Sequence, residues 1–205
     1  MERTIEYEKI SKFITFKDLI DIGMPIDYND TVLNFIEKYK GKLSKINHVI
    51  LRLVLSEDYL SEKDLRLFAV WCSRQVEHLM NDKEAITALN VSEKYAYGLA
   101  TDQELRNTRE KSPILDPINF FETANLAAWH STCDDAIDAA KDASETAAKA
   151  AAKAASTAAT RTAANVYVVS SVHTAVYDYY KNYQLDKLTE IFRHYEQKEY
   201  NWKNL

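Results

Sequence analysis

The sequence predicts an all-α protein, a single-domain multi-helix bundle with a long alanine-rich central helix, and three observations carry that prediction. Only three glycines and three prolines occur in 205 residues. Because these residues punctuate tight turns, their scarcity leaves few places for the loops of a β-protein. Apolar residues recur every three or four positions along most of the chain, which is the period of one helix face. Between residues 124 and 164, eighteen positions are alanine, the strongest helix former.

The elements follow in order. Short helices are predicted over 2–13, 16–22 and 31–40, the second broken by Gly23 and Pro25, the third capped by Asp30 and closed by Gly41. A helix over 43–55 places Ile46, Val49, Ile50 and Leu53 on one face, with His48 opposite as a surface or boundary residue. Ser61 followed by Asp64 is a variant capping box, so a helix starts there and runs to Met80. Leu65, Phe68, Ala69, Cys72, Val76 and Leu79 form its core stripe. Leu67, Trp71, Arg74 and His78 form a second stripe, so this helix either lies inside the bundle, the favoured reading, or meets a partner.

A helix over 83–97 stops at Gly98, and Thr101 with Glu104 makes a full capping box for a short helix ending before Pro113. Pro113 and Pro117 enforce an extended crossing. The alanine-rich stretch then predicts a helix of 25 to 30 residues from about Asp134. Its polar stripe is Asp135, Asp138, Asp142, Glu145, Lys149, Lys153, Ser156 and Thr160. Small side chains there let neighbouring backbones approach closely, which makes it a structural spine. Two more helices are predicted over 166–183 and 185–200. The first carries Val166, Val169, His173, Val176, Tyr177 and Tyr180 on one face, although its opening Val-Tyr-Val-Val also suits a strand. The second groups Leu185, Leu188, Ile191, Phe192 and Tyr195, and beyond it Trp202 either docks or leaves the end frayed.

Composition narrows the function. At 46% hydrophobic and 28% charged residues the chain lies away from the disordered regime. A net charge of −5 with mixed signs gives no basic stripe for a phosphate backbone, so no nucleic-acid partner is expected. The opening Met1–Glu6 segment has no apolar run of a secretion signal and no window reaches the roughly 20 apolar residues of a membrane helix, so the expected location is cytoplasmic, with no membrane partner. Cys72 and Cys133 have no paired spacing and are expected as free thiols, one of them in the core.

No catalytic signature emerges. Gly-x-Ser-x-Gly is absent, and three isolated glycines cannot build a phosphate loop. Paired Glu-x-x-His motifs for a two-metal bundle are also missing. The nearest metal candidates, Glu190 with His194 and His130 with Cys133 and Asp134, are single weak matches, and Trp129 beside His130 reads as a packing anchor. Neither cofactor nor metal is therefore expected. The thirteen tyrosines could equip a binding surface, but most are expected half-buried along the bundle edge.

The run Asp-Leu-Arg-Leu-Phe-Ala-Val-Trp-Cys-Ser-Arg-Gln-Val from Asp64 resembles the opening helix of the immunity-five-like domain family, found in bacterial and phage proteins described as immunity proteins. The similarity extends through a helix leading to a glycine turn (83–99), a capped helix (101–111), the alanine-rich stretch (124–164) and a closing helix with Arg193 (185–194). It implies a helical bundle domain over 59–205 with a helical extension, 1–58, packed as one globular unit. Asp64, Arg66, Phe68, Cys72 and Arg74 are the family-like positions. The implied function is neutralisation of a toxin or effector by direct binding, with no catalytic group. The expected partner-binding residues are Asp64, Arg66, Trp71, Arg74 and His78. The alternative is a phage accessory, virion-associated or anti-defence protein that binds a host factor, and assembly into a homo-oligomer would favour it over a one-to-one inhibitor.

Overall fold

The computed structural model describes residues 51, 54–55, 60–113, 117–162 and 166–197. They hold six α-helices, one short 3-10 turn and no strand, so the all-α, multi-helix expectation is borne out. By internal contacts the chain divides into two compact units, Met1–Ser61 with Lys181–Leu205, and Glu62–Tyr180. The helices predicted at 2–13, 16–22 and 31–40, most of 43–55 with His48, residues 114–116 of the proline crossing, and Trp202 lie outside the described residues.

The Glu62–Tyr180 unit is organised around α1 (Glu62–Arg74), which begins directly after Ser61 as the capping pattern predicts. Ten consecutive residues, from Asp64 to Ser73, are buried. A helix covered on every side is an interior one, which settles the meaning of its two stripes. The helix does not continue to Met80: it ends at Arg74, and a 3-10 turn spans Glu77–Leu79. The reason is Val76, which leaves helical geometry (φ −116°, ψ 11°) to place a fully buried side chain in the core. Asn125 receives the redirected chain: its Oδ1 accepts from the amides of Asn81 and Asp82 at 3.2 and 3.3 Å, and its Nδ2 donates to Asn81 Oδ1 at 2.8 Å.

Helix α2 (Lys83–Ala96) is capped by Asp82 and closes at Gly98, whose φ of 70° is the left-handed conformation glycine adopts without steric cost. The Gly98 amide donates to the Tyr95 carbonyl and the Leu99 amide to the Lys94 carbonyl, a complete Schellman closure. Helix α3 (Asp102–Arg109) carries the capping box read from Thr101 and Glu104. A second box, Asn119 with Glu122, starts α4 (Phe120–His130), with its Asn-x-x-Glu signature legible in the sequence.

Helix α5 (Ala136–Thr162) has 27 residues, inside the predicted range. Its first part packs on α1 and α4, with Ala136, Ala139, Ala140, Ala143, Ala147, Ala148, Ala150, Ala151 and Ala152 all buried. Ala69 of α1 meets Ala139 and Ala143 with Cys133 against them, a contact of small side chains alone. Helix α2 completes the core on α1 and α4, through Val70, Ala85, Ala88, Leu89, Ala128 and Trp129. From Lys153 onward no residue of α5 is buried.

The two helices predicted over 166–183 and 185–200 are one, α6 (Val166–Gln197), 32 residues long. Nothing between them interrupts the backbone: the stretch has no glycine or proline, and the strand-like Val-Tyr-Val-Val opening is helical. Within the Glu62–Tyr180 unit, none of its residues 166–180 is buried. In the other unit, Lys181, Gln184, Leu185, Leu188, Thr189, Ile191 and Phe192 are buried at helical spacing, as are the helical residues Leu51, Val54 and Leu55. No helix among the described residues is long and apolar enough to cross a membrane.

The spine is tested by inserting volume. Ala143→Leu, at the contact with Ala69, is expected to cost about 1–3 kcal/mol in urea unfolding, whereas Ala158→Leu on the exposed part of the same helix stays within about 0.5 kcal/mol.

Candidate partner-binding surface

The five residues singled out in the sequence occupy different environments. Asp64 is 9%, Arg66 2% and Trp71 6% exposed, so all three lie within the bundle. Trp71 stacks on Phe68 with centroids 6.0 Å apart. Arg74 is half-buried and committed: its guanidinium donates to Glu77 and to Asn90 and Glu93 of α2, fastening the turn after α1. His78 is exposed on the 3-10 turn and therefore leaves the stripe of Leu67, Trp71 and Arg74.

Arg66 has the most elaborate surroundings. Its guanidinium donates to the carbonyls of Cys133 (2.9 Å) and Asp134 (2.6 Å), pairs with Glu62 one turn back, and lies 4.8 Å over the Tyr95 ring. Those carbonyls belong to the turn joining α4 to α5, where helix ends leave acceptors unmatched. Two buried hydroxyls address the same region: Ser73 donates to the Ala127 carbonyl at 2.8 Å and Ser92 to the Ser131 carbonyl at 2.6 Å. The planar fork of an arginine suits this double acceptor, so the residue that the family pattern marks holds the fold together here.

His130 and Cys133 do not form a metal site with their neighbours; among the described residues no three His, Cys, Asp or Glu side chains gather in metal-binding geometry. Burial holds the His130 imidazole below its ordinary value, Asp142 at 3.9 Å opposes this, and Arg109 and Lys149 reinforce it. Burial likewise pushes the Cys133 thiol up, away from the reactive thiolate. Neither Cys72 nor Cys133 forms a disulfide, and Cys72 lies in the core. Of the described tyrosines, Tyr95, Tyr97, Tyr177 and Tyr180 are half-buried, whereas Tyr167, Tyr179 and Tyr183 are exposed.

The exposed apolar side chains lie elsewhere. Ile118 is 88% and Phe121 40% exposed, one turn apart where the chain enters α4. Beside them the Lys153 ammonium donates to the Pro117 carbonyl (3.0 Å) and the Thr123 hydroxyl (3.1 Å), both neutral acceptors. A cation therefore borders an uncovered apolar pair, the mixture found where partners dock. A second exposed group, Val166, Tyr167 and Val168, opens α6. Sequence reasoning missed Ile118 and Phe121 because single apolar residues beside a proline carry no periodic signal.

Comparison with known proteins adds no relative: no family model, no curated protein and no solved structure matches the chain.

Two outcomes test these networks. Arg66→Met removes the donor from the partly buried Cys133 and Asp134 carbonyls and is expected to cost about 1–2 kcal/mol in chemical unfolding. His130 binds a proton less readily folded than unfolded, so its contribution is present above the unfolded value of about 6.5 and is lost as pH falls below it. A two-dimensional NMR titration should give a His130 midpoint below about 6.5, and His130→Gln should flatten the stability-versus-pH slope there.

Proposed function

We propose that this chain is a non-enzymatic binding protein that neutralises a toxin or another effector by direct protein–protein contact. The observation that carries the reading is the pairing of exposed Ile118 and Phe121 with the Lys153 ammonium at the start of α4. An apolar centre edged by a charge is the composition of an energetic hot spot. Other polar groups of the unit are already engaged in holding the fold: Glu122 caps α4, Arg74 fastens α2, and Arg66 holds the turn before α5. The likeness of 64–76 to the opening helix of the immunity-five-like family supports the same reading and suggests the class of partner. Burial of Asp64, Arg66 and Trp71 supports a contact surface away from that helix, at the entry of α4.

The test is a comparative capture from the native host, with the full chain and with Ile118→Asp and Phe121→Asp. A partner retained by the parent chain and lost by about 2 kcal/mol or more in each variant is expected, because both lie at the centre of the contact. Equal recovery by all three overturns the surface. A catalysed reaction abolished by removing one polar side chain overturns the non-enzymatic reading. A captured host factor in place of a toxin would assign the chain to the phage accessory class.

A further inference from the structure

Helix α3 has few attachments to the rest of its unit. Of its eight residues six are exposed, Thr108 is half-buried, and Leu105 alone is buried. Among the described helices it packs appreciably only on α2. Most of its side-chain hydrogen bonds close on itself: Thr101 with Glu104 in the capping box, Gln103 to Asn107 at 2.6 Å, and the Thr108 hydroxyl to the Glu104 carbonyl at 2.7 Å. Two leave the helix, one at each end. The Tyr95 hydroxyl of α2 donates to Asp102 at 2.7 Å, and the Arg109 guanidinium donates to Asp134 at 2.6 Å. Both are exposed contacts, of the kind that water replaces at small cost, and the ion pair is screened by salt.

Both tethers end on the Arg66 cluster. Tyr95 carries the Arg66 guanidinium on its ring, and the Asp134 carbonyl accepts from it. Asp134 lies in the turn joining α4 to α5, next to Cys133, and the Arg109 cation is near enough to act on that thiol. Chain breakers stand on either side of α3: Gly98, in the left-handed conformation, four residues before it and Pro113 four residues after it. The helix can therefore leave without unwinding α2. Segments with one buried apolar anchor and mostly exposed hydrogen bonds open at far lower free energy than a core does. From this arrangement we infer that α3 is a strap across the α4–α5 turn, detaching as a unit and so gating access to Cys133 and the Arg66 guanidinium while α1, α2, α4 and α5 stay folded. The strap is independent of the function proposed above.

Two measurements on the full chain test it. In native-state hydrogen exchange the amides of α3 are expected to be protected roughly a hundredfold less than those of α1 and α4. Alkylation of Cys133 by iodoacetamide at about pH 8.5 reads whether the strap covers the turn. Leu105→Ala should speed it by roughly tenfold or more. Asp134→Asn, which keeps the carbonyl used by Arg66, should speed it several-fold and abolish the acceleration that about 1 M salt gives in the parent chain. Cys72, in the core, stays unlabelled throughout, which separates release of α3 from global unfolding. If Leu105→Ala labels Cys72 as well, the surface substitution Asp134→Asn decides. Protection in α3 equal to that in α1, or Cys133 labelling that Asp134→Asn and salt leave unmoved, would overturn the proposal.

Discussion

The Glu62–Tyr180 unit depends on how it satisfies the carbonyls at the end of α4. That end packs against α1, α2 and α5, with Ala127 and Ser131 buried and the turn after it partly so. The donors come from neighbouring helices: Ser73 and Arg66 from α1, Ser92 from α2. An unmatched buried carbonyl costs about 1–3 kcal/mol, so these contacts fix where the three helices lie along one another. Apolar packing draws the helices together but is tolerant of sliding; fixed acceptors are not.

The same logic explains the division of labour among polar residues. Arg66 is buried because its guanidinium makes four hydrogen bonds, to Glu62 and to the Cys133 and Asp134 carbonyls, while its carboxylate partner Glu62 stays 66% exposed in solvent. Asn125 uses both ends of its amide to receive the chain after the 3-10 turn. Once such groups are engaged internally, what the unit offers outward is a different set of side chains: isolated apolar residues at the entry of α4 and in the opening turn of α6.

Much of this architecture is legible in the sequence because it is local. Gly98 closes α2, Thr101 and Glu104 open α3, and alanine density predicts the length of α5; each depends on neighbours within a few residues. The end of α1 was not legible, since Val76 departs from helical geometry for a core position set by distant helices. The continuity of α6 was obscured by a change of composition that reads as a boundary but contains no breaker. The site was least legible. Arg66 is marked only by the resemblance and Trp71 by the second stripe of a helix that reads as interior; both are buried, while Ile118 and Phe121 give no pattern at all.

The change of environment along α5 divides one rod into two regimes. Up to Ala152 its inner face lies in the core; from Lys153 onward none of its ten residues is buried, and intrinsic preference and inherited register carry more of the helix. Elongating a helix that is already nucleated demands far less than starting one, so the anchored turns template the outer ones. The composition that lets the inner part sit close to its neighbours thus also keeps the outer part helical with less packing around it. One choice of residue serves both adhesion and reach.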